Sequence, residues 1–278
     1  MKILSEYIKE GLKITSKTKV NEKPKYNYHP KNGDELSDLI KDLVKERGND
    51  ADLNDIDTSE ITDMAFMFGG SKFNGDISEW DVSNVKNIKY MFKDSQFNGD
   101  ISHWDVSNVE NMAGMFNESK FNQDISKWDV SNVKNMQHIF TESNFNGDIS
   151  NWDVSKVENM VFMFKNSQFN GDISKWDVSN VEDMKYMFGG TKFNGDISKW
   201  DVSNVKDMQW MFAHSEFNND ISKWDVSKVK IMSGMFKDSK FNGDISKWDV
   251  HHVKAMGDMF KDSLLGKNPP KWYMYYKK

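Results

Sequence analysis

The sequence contains no cysteine. That excludes disulfides, thiolate metal sites and a cysteine nucleophile. Arg47 is the only arginine, so the bidentate guanidinium clamps that grip phosphate or guanine are nearly unavailable. A net charge of -6 and a pI near 5.6 argue against binding a nucleic-acid backbone. No apolar run reaches the about 18 residues of a membrane-spanning helix, and the mean hydropathy is -0.74. The opening residues Met1–Glu10 are interrupted by charge at Glu6, Lys9 and Glu10, so no secretory leader is expected. The histidines (His29, His103, His138, His214, His251, His252) lack metal-site spacing, and neither a G-x-S-x-G elbow nor a phosphate-binding loop occurs. No constellation of catalytic residue types is unique in the chain, so the expectation is a protein without catalysis.

What the chain does contain is a period. Trp80, Trp104, Trp128, Trp152, Trp176, Trp200, Trp224 and Trp248 stand 24 residues apart, and Trp272 continues the series. Each lies in nearly the same text: Phe97-Asn98-Gly99-Asp100-Ile101-Ser102-His103-Trp104-Asp105-Val106-Ser107-Asn108-Val109, then Met112 and Met115-Phe116. A fixed period of this length marks a stack of supersecondary units that share one long core. Ile101-x-x-Trp104-x-Val106 matches the spacing of a leucine-rich-repeat strand, which predicts a short strand over 103–107 with Trp104 and Val106 inward. Ser107-Asn108 then offers a helix N-cap, and Val109, Met112, Met115 and Phe116 fall at helical spacing. The expected fold is therefore α/β: a right-handed leucine-rich-repeat-like solenoid with one short parallel strand and one short helix per unit. The tryptophans form its structural core. Burying one indole removes about 200 Å² from water, an upper bound of about 5 kcal/mol before entropy is subtracted.

Four segments follow. Residues 1–33 read as a helix over 3–14 (Leu4, Tyr7, Ile8 and Leu12 on one face) and a flexible linker. Residues 34–52 carry Leu36, Leu39, Ile40, Leu43 and Val44, an amphipathic capping helix stopped by Gly48. About nine repeats fill 53–272, with Leu53, Ile56 and Thr58 standing in for Ile101, Trp104 and Val106 in the first. Pro269-Pro270 blocks further pairing, and residues 273–278 form a lid or tail.

The repeated text resembles the BspA-like leucine-rich-repeat surface proteins, and more closely their mycoplasma-type repeats of formerly unknown function. The resemblance implies an extended solenoid used for adhesion and protein binding, with related arrays in gut anaerobes and their phages. Without a leader or a cysteine for lipid attachment, an intracellular or virion-associated location is expected rather than the surface.

Two columns are candidate sites. One is the Asp after each Trp: Asp81, Asp105, Asp129, Asp153, Asp177, Asp201, Asp225 and Asp249. Stacked about 4.8 Å apart, they need neutralising. Hydrogen bonds from backbone N–H groups two or three residues on are the expected answer, and Ca²⁺ shared with Asp100 and its equivalents is the alternative. The other lies between the two apolar positions of each predicted helix, where the units vary: Phe66, Tyr90, Gly114, His138, Phe162, Tyr186, Trp210, Gly234, Asp258. Helical geometry puts Tyr90 about 170° from its apolar stripe, the most exposed position of its turn. The aromatic and His members (Phe66, Tyr90, His138, Phe162, Tyr186, Trp210) are expected to bind a protein partner. A spacer role in a larger assembly and carbohydrate binding are the alternatives; nucleic acid and membrane insertion are not expected.

Overall fold

The computed structural model describes residues 25–276. The helix expected over 3–14 lies outside them. Across the repeats the chain forms a stack of 24-residue coils, each hydrogen bonded to the next. Parallel bridges join Asp63 to Asn87, Asn87 to Asn111, and so on through Ile231 to Ala255. They are single-residue bridges; residues 103–107 form no strand and residues 109–116 no helix, and turns fall at 102–103, 107–108 and 113–118.

The hydrogen bonding explains the difference. Along 112–118, alternate N–H groups reach forward to the following coil: Met112 to Asn135 O, Gly114 to Gln137 O, Phe116 to Ile139 O and Glu118 to Thr141 O. The intervening ones close turns within the coil: Met115 to Met112 O, Asn117 to Gly114 O and Ser119 to Phe116 O. Coils joined this way rise about 4.8 Å each, whereas helices packed side by side need about 8–10 Å. A helix in every coil would not fit. Consecutive turns give Val109, Met112, Met115 and Phe116 the same inward spacing that a helix would, and all four are fully buried. Asn108 does not cap a helix either. Its amide donates to Ser83 O of the preceding coil at 2.8 Å, as Asn132 does to Ser107 O.

The core consists of parallel aromatic columns. Trp80 to Trp248 are buried at 3–4% exposure. Each indole N–H donates to a carbonyl of the preceding coil, Leu53 for Trp80 and an Ile for the rest, as Trp152 does to Ile125 at 3.1 Å. Phe92, Phe116, Phe140 and Phe164 stack at 5.8–5.9 Å, and each lies against the Phe five residues on, as Phe116 on Phe121 at 4.2 Å. Offset ring pairs of this kind add about 0.5–1.5 kcal/mol each to plain burial. Gly75 is required where it stands, because a Cβ there would overlap the Ala51 carbonyl.

At the N-terminal end, α1 (Gly33–Arg47) lays Leu36, Leu39, Ile40 and Leu43 on the first coil. Asn32 accepts from the Glu35 N–H, acidic residues occupy the first turn, and Gly48 (φ 93) ends it. The linker expected over 15–33 is corrected for its described part. Tyr28 is buried and bridged to Ile56, the Asp57 N–H donates to its carbonyl, and the Arg47 guanidinium lies over its ring. Residues 25–30 thus add a partial coil. At the other end, α2 (Lys271–Tyr276) follows Pro269-Pro270. Tyr273 packs edge-on against Phe260, and the Tyr276 hydroxyl accepts the Met256 N–H. Met274 and Tyr275, read in the sequence as part of a lid, point to solvent.

Candidate interaction face

The Asp column spends its carboxylates locally. Asp105 accepts from the Ser107 N–H at 3.1 Å, and Asp81, Asp129, Asp153, Asp177, Asp201, Asp225 and Asp249 make the equivalent bond. Asp100 does the same with Ser102. These bonds hold the Asp105 and Asp100 carboxyls below the usual carboxylate range. Among the described residues no three His, Cys, Asp or Glu side chains come together as a metal-binding group.

The variable column is built differently from the sequence expectation. Phe66, Tyr90, His138, Phe162, Tyr186, Trp210 and Asp258 all have left-handed backbone, with φ between 54 and 60°, and Gly114 and Gly234 share it at 62 and 64°. The position is the left-handed residue of a turn, such as the one closed by the Met91 N–H on Ile88 O. The backbone turns the side chain outward there, but not to full exposure. Only Phe66 is open, at 57%, while Tyr90, His138, Phe162, Tyr186 and Trp210 are half-buried. They bury one another. Ring centroids lie 5.2 Å apart for Phe66–Tyr90, 4.6 Å for His138–Phe162, 4.9 Å for Phe162–Tyr186 and 5.6 Å for Tyr186–Trp210. Gly114 and Gly234 interrupt the row, and at each the preceding ring (Tyr90, Trp210) occupies the space a Cβ would need.

Lysines line this row. Lys89 and Lys93 ammonium groups lie 5.4 and 5.8 Å from the Tyr90 ring centre. Lys165 lies 5.5 Å from Phe162 and 5.8 Å from Tyr186, and Lys237 lies 4.9 Å over Trp210. All are within the range of a cation–π attraction. Burial, then Lys165 and Lys93, push the His138 pKa down, so its ring is neutral near pH 7. Burial raises the Tyr186 phenol.

A second left-handed column went unnoticed in the sequence: Gly70, Asp94, Glu118, Glu142, Asn166, Gly190, His214, Asp238 and Asp262. Its signal was available. Gly, Asn and Asp recurring at one offset in the period is the composition left-handed backbone selects.

A family model described as Mycoplasma protein of unknown function, DUF285, matches three overlapping stretches, residues 36–144, 117–216 and 166–272. No curated protein and no solved structure matches the chain. With the matches running almost continuously from α1 to α2, the chain belongs to the DUF285 family of Mycoplasma proteins of unknown function.

Proposed function

We propose that this protein is a non-enzymatic repeat scaffold of the BspA-like, leucine-rich-repeat solenoid kind that binds a protein partner through the Phe66–Trp210 row. One observation carries the reading. Aromatic rings occupy a backbone position where an L-residue costs about 1–2 kcal/mol, and the same position accepts glycine at Gly114 and Gly234. Strain of this kind concentrates at functional sites. A constant frame that carries outward variable positions is the way repeat scaffolds present a binding surface.

The ring geometry favours a protein over a carbohydrate. A sugar needs an open aromatic face, and along His138–Trp210 the faces are turned toward one another at interplanar angles of 3–13°. Edges are what the row presents.

The test compares the immobilised chain with a Tyr90→Asn, Phe162→Asn, Tyr186→Asn, Trp210→Asn variant in capture from an extract of the source cells. Asparagine tolerates left-handed backbone, so the variant is expected to melt within a few degrees of the parent and to lose the captured protein. Undiminished capture by a folded variant would remove the row from the reading. An unfolded variant would make the rings structural.

A further inference from the structure

We propose that the Phe162–Tyr186–Trp210 stretch, with Lys165, Lys185 and Lys237, takes an extended acidic peptide segment of the partner. This rests on the reading of the row as the binding face and names the chemistry of what binds there.

The ring faces are consumed by stacking, so their edges meet the guest. Aromatic edges carry the positive part of the quadrupole and favour negative neighbours. The lysines of this stretch are also held ready. Elsewhere on the stack, three lysines pair with a glutamate one coil away: Lys134 with Glu110 at 3.1 Å, Lys206 with Glu182 at 2.6 Å, Lys240 with Glu216 at 3.0 Å. Lys165 reaches Glu142 only at 3.9 Å and instead lies over Phe162 and Tyr186. Lys237 lies over Trp210, and neither it nor Lys185 forms an ion pair among the described residues.

The neighbouring column changes in step. Its carboxylates at Asp94, Glu118 and Glu142 give way to Asn166, Gly190 and His214 beside Phe162, Tyr186 and Trp210, then return at Asp238 and Asp262. The three positions beside the most continuous ring stack thus carry no carboxylate of their own; those of the flanking coils are spent at its ends, Glu142 on Asn166 at 3.2 Å and Asp238 on His214 at 3.0 Å. On the opposite edge Asp183 and Asp207 are half-buried and accept the Lys185 and Gln209 N–H groups. The small residues Gly189 and Ala213 hold the places that Lys165 and Lys237 take in other coils, and the half-buried Tyr186 ring packs against Gly189. Burial first, then Lys165 and Lys93, lowers the pKa of His138, whose ring stacks on Phe162. A nucleic acid fits less well, because single strands bind by stacking bases on open ring faces.

The probe is a fluorescein-labelled ten-residue peptide of alternating glutamate and valine, titrated with the full chain and read by anisotropy at low salt. A lysine–valine peptide and a ten-nucleotide oligothymidylate are the comparison probes. The acidic peptide is expected to bind at least about tenfold more tightly than either. The Lys165→Gln, Lys185→Gln, Lys237→Gln variant is expected to weaken it about tenfold or more, as is about 0.5 M salt. Lys206→Gln is expected to leave it unchanged. Failure of the acidic peptide to bind, equal binding by the triple lysine variant, or preference for either comparison probe would overturn the proposal. A Phe162→Asn, Tyr186→Asn, Trp210→Asn variant separates the two claims. If it abolishes peptide binding while the lysine variant does not, the row remains the binding face and only the acidic assignment falls. If neither variant matters, both fall.

Discussion

Two columns of left-handed residues run along the stack on almost the same backbone, with φ of 54–60° in the ring column and 52–59° in the other, glycines aside. The second column holds Asp94, Asn166, His214, Asp238 and Asp262 with Gly70 and Gly190, the residue types that adopt this conformation most cheaply; only Glu118 and Glu142 depart from it. The first holds Phe66, Tyr90, Phe162, Tyr186 and Trp210, which do not. Backbone preference therefore decides one column and is overridden in the other. What offsets the strain in the first is ring-on-ring stacking, and that works only when the coil before or after also carries a ring. The second column sits four residues farther along each coil and mostly keeps its side chains in water.

The comparison is open to test at several points. The largest expected effect lies in the frame beneath both columns: Trp152→Ala is expected to cost about 3–5 kcal/mol in chemical denaturation. It removes a buried indole and one of the two hydrogen bonds to the Ile125 carbonyl, leaving only that from the Trp128 N–H. A loss below about 1 kcal/mol would mean that the columns do not depend on the core that spaces them.

Gly114→Ala comes next. Its backbone is left-handed, and the new methyl would displace the Tyr90 ring. A cost of about 2 kcal/mol is expected, and a neutral result would show that the interruptions in the row are not steric. Placing a ring in the second column, Asn166→Phe, is expected to cost about 1 kcal/mol, because Glu142 and Gly190 on either side give it nothing to stack on. A gain in stability there would erase the distinction between the columns. Tyr186→Asn is expected to change stability by about 1 kcal/mol or less, since relief of backbone strain offsets the two lost ring pairs.

The smallest effect is a titration. Burial and nearby lysines lower the His138 pKa in the folded protein. The unfolded chain then binds the proton more readily, so this contribution is complete above about pH 6.5 and fades as pH falls through the lower folded value. His138→Phe is expected to flatten the melting temperature between about pH 7 and pH 5 relative to the parent. An identical pH profile would show that the ring is not desolvated by the row.

Much of this was legible in the residues. The Trp period placed the core, and Leu36, Leu39, Ile40 and Leu43 marked the capping helix. The variable column stood out as the second of two positions that vary between the nearly constant apolar residues of each unit. The local conformation was not legible, since Val109, Met112, Met115 and Phe116 carry the same spacing whether the chain is helical or a run of consecutive turns. Nor was the burial of Tyr28, which depends on a bridge to Ile56 made only when the stack exists.

By itself the sequence determined the period, the inward residues of each coil and the capping helix, because recurrence at 24 residues and apolar patterning are properties of the chain alone. Only the tertiary structure decided that each coil is a run of turns with two left-handed positions. The forward hydrogen bonds join residues 23 apart, as Met112 to Asn135. The close rise they impose leaves no room for helices, and that spacing is a property of neighbouring coils rather than of any one stretch of residues.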